Sequence, residues 1–158
     1  MIQATARILQ NVIEVRLGDE MWICRPVVSS TGALSRKIAS LFSTTYETFR
    51  ASEPAEVYST VSYSPKKDEV LIQIGEQKWR TKSSVFGPMT FEYRGEAYSV
   101  HEKLTGRFAI LQGTTVVATG ELGFRSCLIK DATPDLEGFL ANMAVGFLIR
   151  TLVWEMFR

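Results

Sequence analysis

The stretch from Thr133 to Arg158 constrains this chain more than any other part of its sequence. Thr133-Pro134-Asp135 opens it as a helix start. Threonine suits the N-cap, proline suits the first helical position, and Asp135 and Glu137 complement the positive end of the helix dipole. A helix on a protein surface shows one apolar stripe. Here Leu136, Phe139, Leu140, Met143, Phe147 and Leu148 take one side, while Ala141, Val145, Ile149, Val153 and Phe157 take much of the other. A helix that is apolar all round is enclosed either by protein or by a membrane. A membrane span needs about 20 apolar residues. This run is shorter, contains Asn142 and stops at Arg150. An arginine near mid-bilayer costs at least about 2.5 kcal/mol. The expectation is a helix over residues 134–158 buried inside protein.

What encloses it is legible in the preceding residues. Residues 4–9, 12–17 and 20–24 are short apolar-rich runs, punctuated by Asn11 and Gly18-Asp19. Between residues 33 and 50 the period changes. Leu34, Ile38, Leu41, Phe42 and Phe49 recur at helical spacing, and Ser30 or Thr31 can cap the start, so the pattern predicts an amphipathic helix there. From 57 to 130 the alternation is of period two. Val57, Val61 and Tyr63 alternate with polar residues, and Ile72 and Ile74, Phe91 and Tyr93, and Phe108 and Ile110 are expected to face inward. Gly75-Glu76, Arg94-Gly95 and Gln112-Gly113 supply turns. About eleven or twelve short strands at this spacing are what an antiparallel barrel or sandwich requires. The expected fold is mainly β (α+β): an antiparallel barrel around a buried C-terminal helix, with one further amphipathic helix near 33–50. The alternative is a helix-grip fold, in which the long helix lies across an open sheet.

No repeat, linker or low-complexity tract divides the 158 residues, so residues 1–158 read as one domain. A chain of this length buries about two thirds of its unfolded surface and needs no metal or disulfide to hold a core. Its two cysteines, Cys24 and Cys127, lack CxxC spacing and read as reduced thiols. Met1 to Val12 has no apolar core of a signal peptide, from which a cytoplasmic location, peripheral to a membrane, is expected. The 18 Lys and Arg against 17 Asp and Glu exclude the overall basic field of a dedicated nucleic-acid binder, but not a local basic patch.

This order of strands and terminal helix resembles the tubby C-terminal-like superfamily, which includes the LURP-one-related proteins and phospholipid scramblases. The resembling stretches are Phe91-Glu92-Tyr93-Arg94-Gly95-Glu96-Ala97-Tyr98, Gly106-Arg107-Phe108-Ala109-Ile110, Val116-Val117-Ala118 and the helix 134–158. The resemblance implies a twelve-stranded barrel around a central apolar helix. It also implies a non-enzymatic role, since tubby proteins bind phosphoinositides through basic strand residues. The helix over 33–50 departs from that pattern.

The chemistry-bearing motifs are mostly missing. There is no GxGxxG, Walker A, HExxH or GxSxG motif. The single histidine, His101, alternates with Tyr98 and Val100 and is expected on a strand's solvent face. Asp131, Asp135 and Glu137 cluster where a divalent cation could sit, but the helix dipole explains Asp135 and Glu137 without a metal. No catalytic residue, metal site or cofactor is expected. One positive signal stands out. Lys78, Arg80 and Lys82 fall on one strand face with Trp79 opposite, and Lys66-Lys67 sits in a turn nearby in sequence. Such a strip can dock phosphate headgroups, each cation contributing about 1 kcal/mol near an anionic leaflet. Aromatic residues are not interleaved with it, which speaks against nucleic acid. The sequence thus points to a domain engaging an anionic phospholipid surface or a protein partner. The alternative function is a carrier of an apolar ligand, which a helix-grip fold would provide with a cavity.

Overall fold

In the computed structural model, residues 1–27, 44–84 and 87–156 are described. The strands are β1 (Ile2–Arg7), β2 (Val12–Leu17), β3 (Glu20–Pro26), β4 (Thr45–Arg50), β5 (Glu53–Ser64), β6 (Glu69–Ile74), β7 (Gln77–Arg80), β8 (Lys82–Ser84), β9 (Gly87–Tyr93), β10 (Glu96–Glu102), β11 (Arg107–Gln112), β12 (Thr115–Leu122) and β13 (Ser126–Lys130). One helix, α1 (Glu137–Met156), follows them. All thirteen strands form a single sheet in the order β7-β6-β5-β4-β3-β2-β1-β13-β12-β11-β10-β9-β8. Every pairing is antiparallel, and β1 closes against β13 with Ile2 opposite Ile129. Among the described residues this count corrects the expected eleven or twelve: β4 forms where a helix was expected, and a break at Thr81, which alone separates β7 from β8, divides one expected strand in two.

That break is where the barrel nearly closes. β7 pairs with β6, Leu71 opposite Arg80, and β8 pairs with β9, Lys82 opposite Thr90. Thr81 bridges the two edges. Its N–H donates to the Val70 carbonyl at 2.9 Å, and its hydroxyl accepts the Val70 N–H at 2.9 Å. The Ser83 hydroxyl donates to the Asp68 carbonyl at 2.8 Å. Above Thr81 the outer edges of β7 and β9 face each other without a ladder, leaving a slot.

The helix runs through this barrel. From Phe139 to Ile149 every residue is buried, including Gly146 and Asn142. The helix-grip alternative would leave one helix face bare over an open sheet, and that is not what is seen. Asn142 is accommodated by two bonds: Ser59 Oγ donates to its Oδ1 at 2.6 Å, and its Nδ2 donates to the Gly138 carbonyl at 2.9 Å. Gly146 lets the helix approach β6, for a Cβ there would collide with Val70 Cγ1. The helix begins at Glu137 rather than at 134. Leu136 N–H still bonds the Thr133 carbonyl at 2.9 Å in the preceding turn.

The expected inward residues Ile72, Phe91, Phe108 and Ile110 are buried in the core together with Val61 and Tyr63, and the expected Ile74 and Tyr93 pack partly buried against it. Outward positions include the polar Gln3, Thr5, Glu14, Arg16, Thr60 and Gln73. Among the described residues no helix is long and apolar enough to cross a membrane.

The expected helix over 33–50 is corrected where it can be seen. Residues 45–50 form β4, with Tyr46 and Thr48 buried and Glu47 between them. Phe49, which completed the helical spacing, instead lies beneath the Arg25 guanidinium at 5.1 Å. The remainder of that expected helix lies outside the described residues.

Candidate functional site

The antiparallel meander sorts its connections between two ends. α1 begins at what is here called the entry end and finishes at the exit end. The turns at the entry end are Gly18-Asp19, Ala51-Ser52, Gly75-Glu76, Arg94-Gly95 and Gly113-Thr114, together with the approach to the helix over 131–136. At the exit end lie the turns over 8–11, 65–68, 103–106 and 123–125.

The five cations singled out by sequence are divided by this arrangement. Lys78, Arg80 and Lys82 stand together on the barrel wall beside the slot. They line a depression of about 490 Å³ whose other walls come from β9 and β10. Arg94 joins them there, and Glu92 is its acid. Arg94 belongs to a different strand pair, so only closure of the barrel brings it in. Its positive φ of 53° places it in a tight turn, a signal of geometry but not of partnership. Arg80 is partly engaged by Glu69, at 3.8 Å. The slot is sealed from within by rings. Phe139 stacks on Tyr93 at 4.2 Å, and Trp79 meets Phe139 edge-on at 5.5 Å. Trp79 is thus the inward residue that the alternation assigned.

Lys66 and Lys67 are elsewhere, exposed in the β5–β6 turn at the exit end. Their neighbour Asp68 is occupied, accepting the Tyr63 hydroxyl at 2.5 Å. Trp154 Nε1 donates to the same Tyr63 oxygen at 2.9 Å. Burial, helped by the bond to Asp68, pushes the Tyr63 phenol up to about 12. Arg150, which ends the apolar part of the helix, is bonded to Glu102. These contacts stopper the exit end around the last turns of α1.

The charges of the turns differ by end. At the entry end the turn residues carry Asp19, Glu76, Asp131 and Asp135 against Arg94. At the exit end they carry Lys66, Lys67, Lys103 and Arg125 against Asp68. Among the described residues no carboxylate pairs with any of these four exit-end cations. Among the described residues the turns are therefore polarised along the barrel axis, in a chain whose net charge is only +1.

The other candidate groups are accounted for structurally. His101 is exposed on β10, its Nε2 3.0 Å from Ser99 Oγ. Cys24 and Cys127 are both buried, and desolvation pushes each thiol up to about 12. Among the described residues no group of His, Cys, Asp or Glu is arranged to hold a metal ion, Asp131, Asp135 and Glu137 included.

Comparison of the chain with protein-family models, with curated proteins and with solved structures gives no match.

Proposed function

We propose that this domain is a non-catalytic module that docks on an anionic phospholipid surface, in the manner of a tubby-like barrel. The observation that carries the reading is the axial charge polarity. Lys66, Lys67, Lys103 and Arg125 project from turns at one end, and the acidic turns sit at the other. Cations near an anionic leaflet contribute about 1 kcal/mol each. An axial dipole also orients the domain as it approaches, because the acidic end is repelled. The reading favours docking over carriage of an apolar ligand, since α1 fills the barrel interior where such a ligand would sit.

Docking through the exit end assigns Lys66 and Lys67 to the contact and leaves Lys78, Arg80 and Lys82 on the wall. Sedimentation with vesicles containing phosphatidylserine and phosphoinositides tests this. Binding is expected at low salt and should weaken as screening shortens the reach of exposed charges to about 8 Å at physiological strength. The variant K66Q/K67Q/K103Q/R125Q should lose most binding, with K78Q/R80Q/K82Q much less affected. The reverse ranking would move the contact to the wall. No binding by the unaltered protein at low salt would end the lipid reading and leave a protein partner to be sought.

A further inference from the structure

The exit end carries more than charge. Three of its turns are adjacent and tied together by the backbone. The β1–β2 turn abuts the β12–β13 turn, where Ala6 N–H donates to the Arg125 carbonyl at 2.8 Å. The β10–β11 turn abuts the same hairpin from the other side, where Leu122 N–H donates to the Gly106 carbonyl at 2.8 Å. Gly106 permits that approach: its φ is +87°, and a Cβ would press on the Leu122 carbonyl oxygen at 2.5 Å.

Each of these turns presents large apolar side chains to solvent. Ile8, Leu9, Leu104 and Phe124 are all exposed, Leu9 and Leu104 completely. One exposed leucine is ordinary, but four such residues on three joined turns make a grouping that soluble surfaces rarely leave uncovered. Each apolar tip is also next to a cation in sequence: Arg7 precedes Ile8-Leu9, Lys103 precedes Leu104, and Arg125 follows Phe124. Arg125 lies over the Phe124 ring at 5.0 Å. The acids Glu14, Glu102 and Glu121 on the strands leading to these turns are committed to Arg7, Arg150 and Arg107.

We infer that Ile8, Leu9, Leu104 and Phe124 insert into the interfacial zone of an anionic phospholipid bilayer, seating the barrel upright with its helix axis along the membrane normal. The inference rests on the docking reading above and adds the apolar half of the contact and the orientation. Apolar tips between cations match the bilayer boundary, where acyl chains begin just below phosphate groups. The cationic heads remain at phosphate level while the apolar tips go deeper. Because hydrogen bonds already hold the turns, little conformational freedom is lost on insertion. A protein partner would also cover apolar residues, but the regular pairing of each tip with a cation is the chemistry of a headgroup layer.

The test uses the full chain with two variants, L9S/L104S/F124S and Phe124→Trp, and vesicles of phosphatidylcholine alone or with phosphatidylserine. Because the tips are exposed, the triple variant should keep the thermal midpoint of the unaltered protein. It should bind phosphatidylserine vesicles about tenfold or more weakly, since the transfer energy of three side chains is lost. The unaltered protein should retain part of its binding in high salt, and the triple variant none. In Phe124→Trp, acyl-chain bromine should quench a fluorescence component absent from the unaltered protein. If the unaltered protein binds while the triple variant binds equally and the new component is not quenched, insertion is overturned and docking stands as purely electrostatic. If the unaltered protein does not bind, both ideas fail together. Self-association that the triple variant abolishes, without any change in vesicle binding, also overturns the inference and assigns the tips to a second copy of this chain.

Discussion

Phe91 is buried at the meeting point of the slot and the helix, stacked on Tyr98 at 5.1 Å and 5.4 Å from Phe139. Phe91→Ala is expected to cost about 3–5 kcal/mol in chemical unfolding, because the two rings against it belong to different elements and cannot both relax into the gap. A loss below about 1 kcal/mol would mean that the ring faces outward. The two cysteines offer a second check. With both thiols raised to about 12 by burial, the reactive thiolate is scarce near pH 8. A thiol reagent should modify Cys24 and Cys127 only as fast as the protein opens. Rapid labelling in native buffer would contradict their enclosure. Inward residues were legible wherever alternation was regular, as at Ile72, Phe91 and Ile110. Val57, in the same alternating run as Val61 and Tyr63, is exposed. The pairing of β4 with β5 shifts near Thr48 and Phe49, so that Tyr58 turns in to meet Trp22 at 5.2 Å. One extra residue in a strand reverses the faces beyond it, and no local pattern announces it.

At the scale of elements, α1 was legible because all-round apolarity admits few environments. β4 was not, because Phe49 completed a helical spacing by chance and the strand's own evidence is only six residues long. Gly146→Ala separates helix propensity from packing. Propensity alone favours alanine by about 1 kcal/mol. Val70 has branched, stiff methyls in the way, so a net destabilisation of about 1–3 kcal/mol is expected in the urea midpoint. A stabilised variant would show that the helix has room to shift. Thr81→Val tests closure in a similar way. It removes the acceptor of the Val70 N–H. An orphaned buried donor costs about 1–3 kcal/mol. Amide exchange should accelerate first at Val70, ahead of the strands far from the slot.

At the scale of the whole molecule, the axial separation of charge was invisible in a sequence whose totals nearly cancel. Strip residues two apart in sequence were legible, while Arg94 joins them only when the barrel closes, and Lys103 and Arg125 acquire their company only when the meander brings alternate turns to the same end. The barrel and its core come from separate parts of the chain. Deleting residues from Pro134 onward should therefore leave thirteen strands with nothing to pack on, and a chain without a cooperative thermal transition. A sharp transition in that deletion would show that the barrel has an interior of its own.

The same order has a consequence for biosynthesis. β1 waits for β13, and every inward side chain waits for a helix that leaves the ribosome after all the strands. Pairings this distant in sequence are slow to form. Until synthesis reaches residues 137–156 the emerging strands carry apolar faces and open edges with no lasting partner, and open edges invite pairing with other chains. Folding must then wait until the helix has emerged. The nascent strands should depend on chaperones until that point, with the dependence ending abruptly once the helix is released.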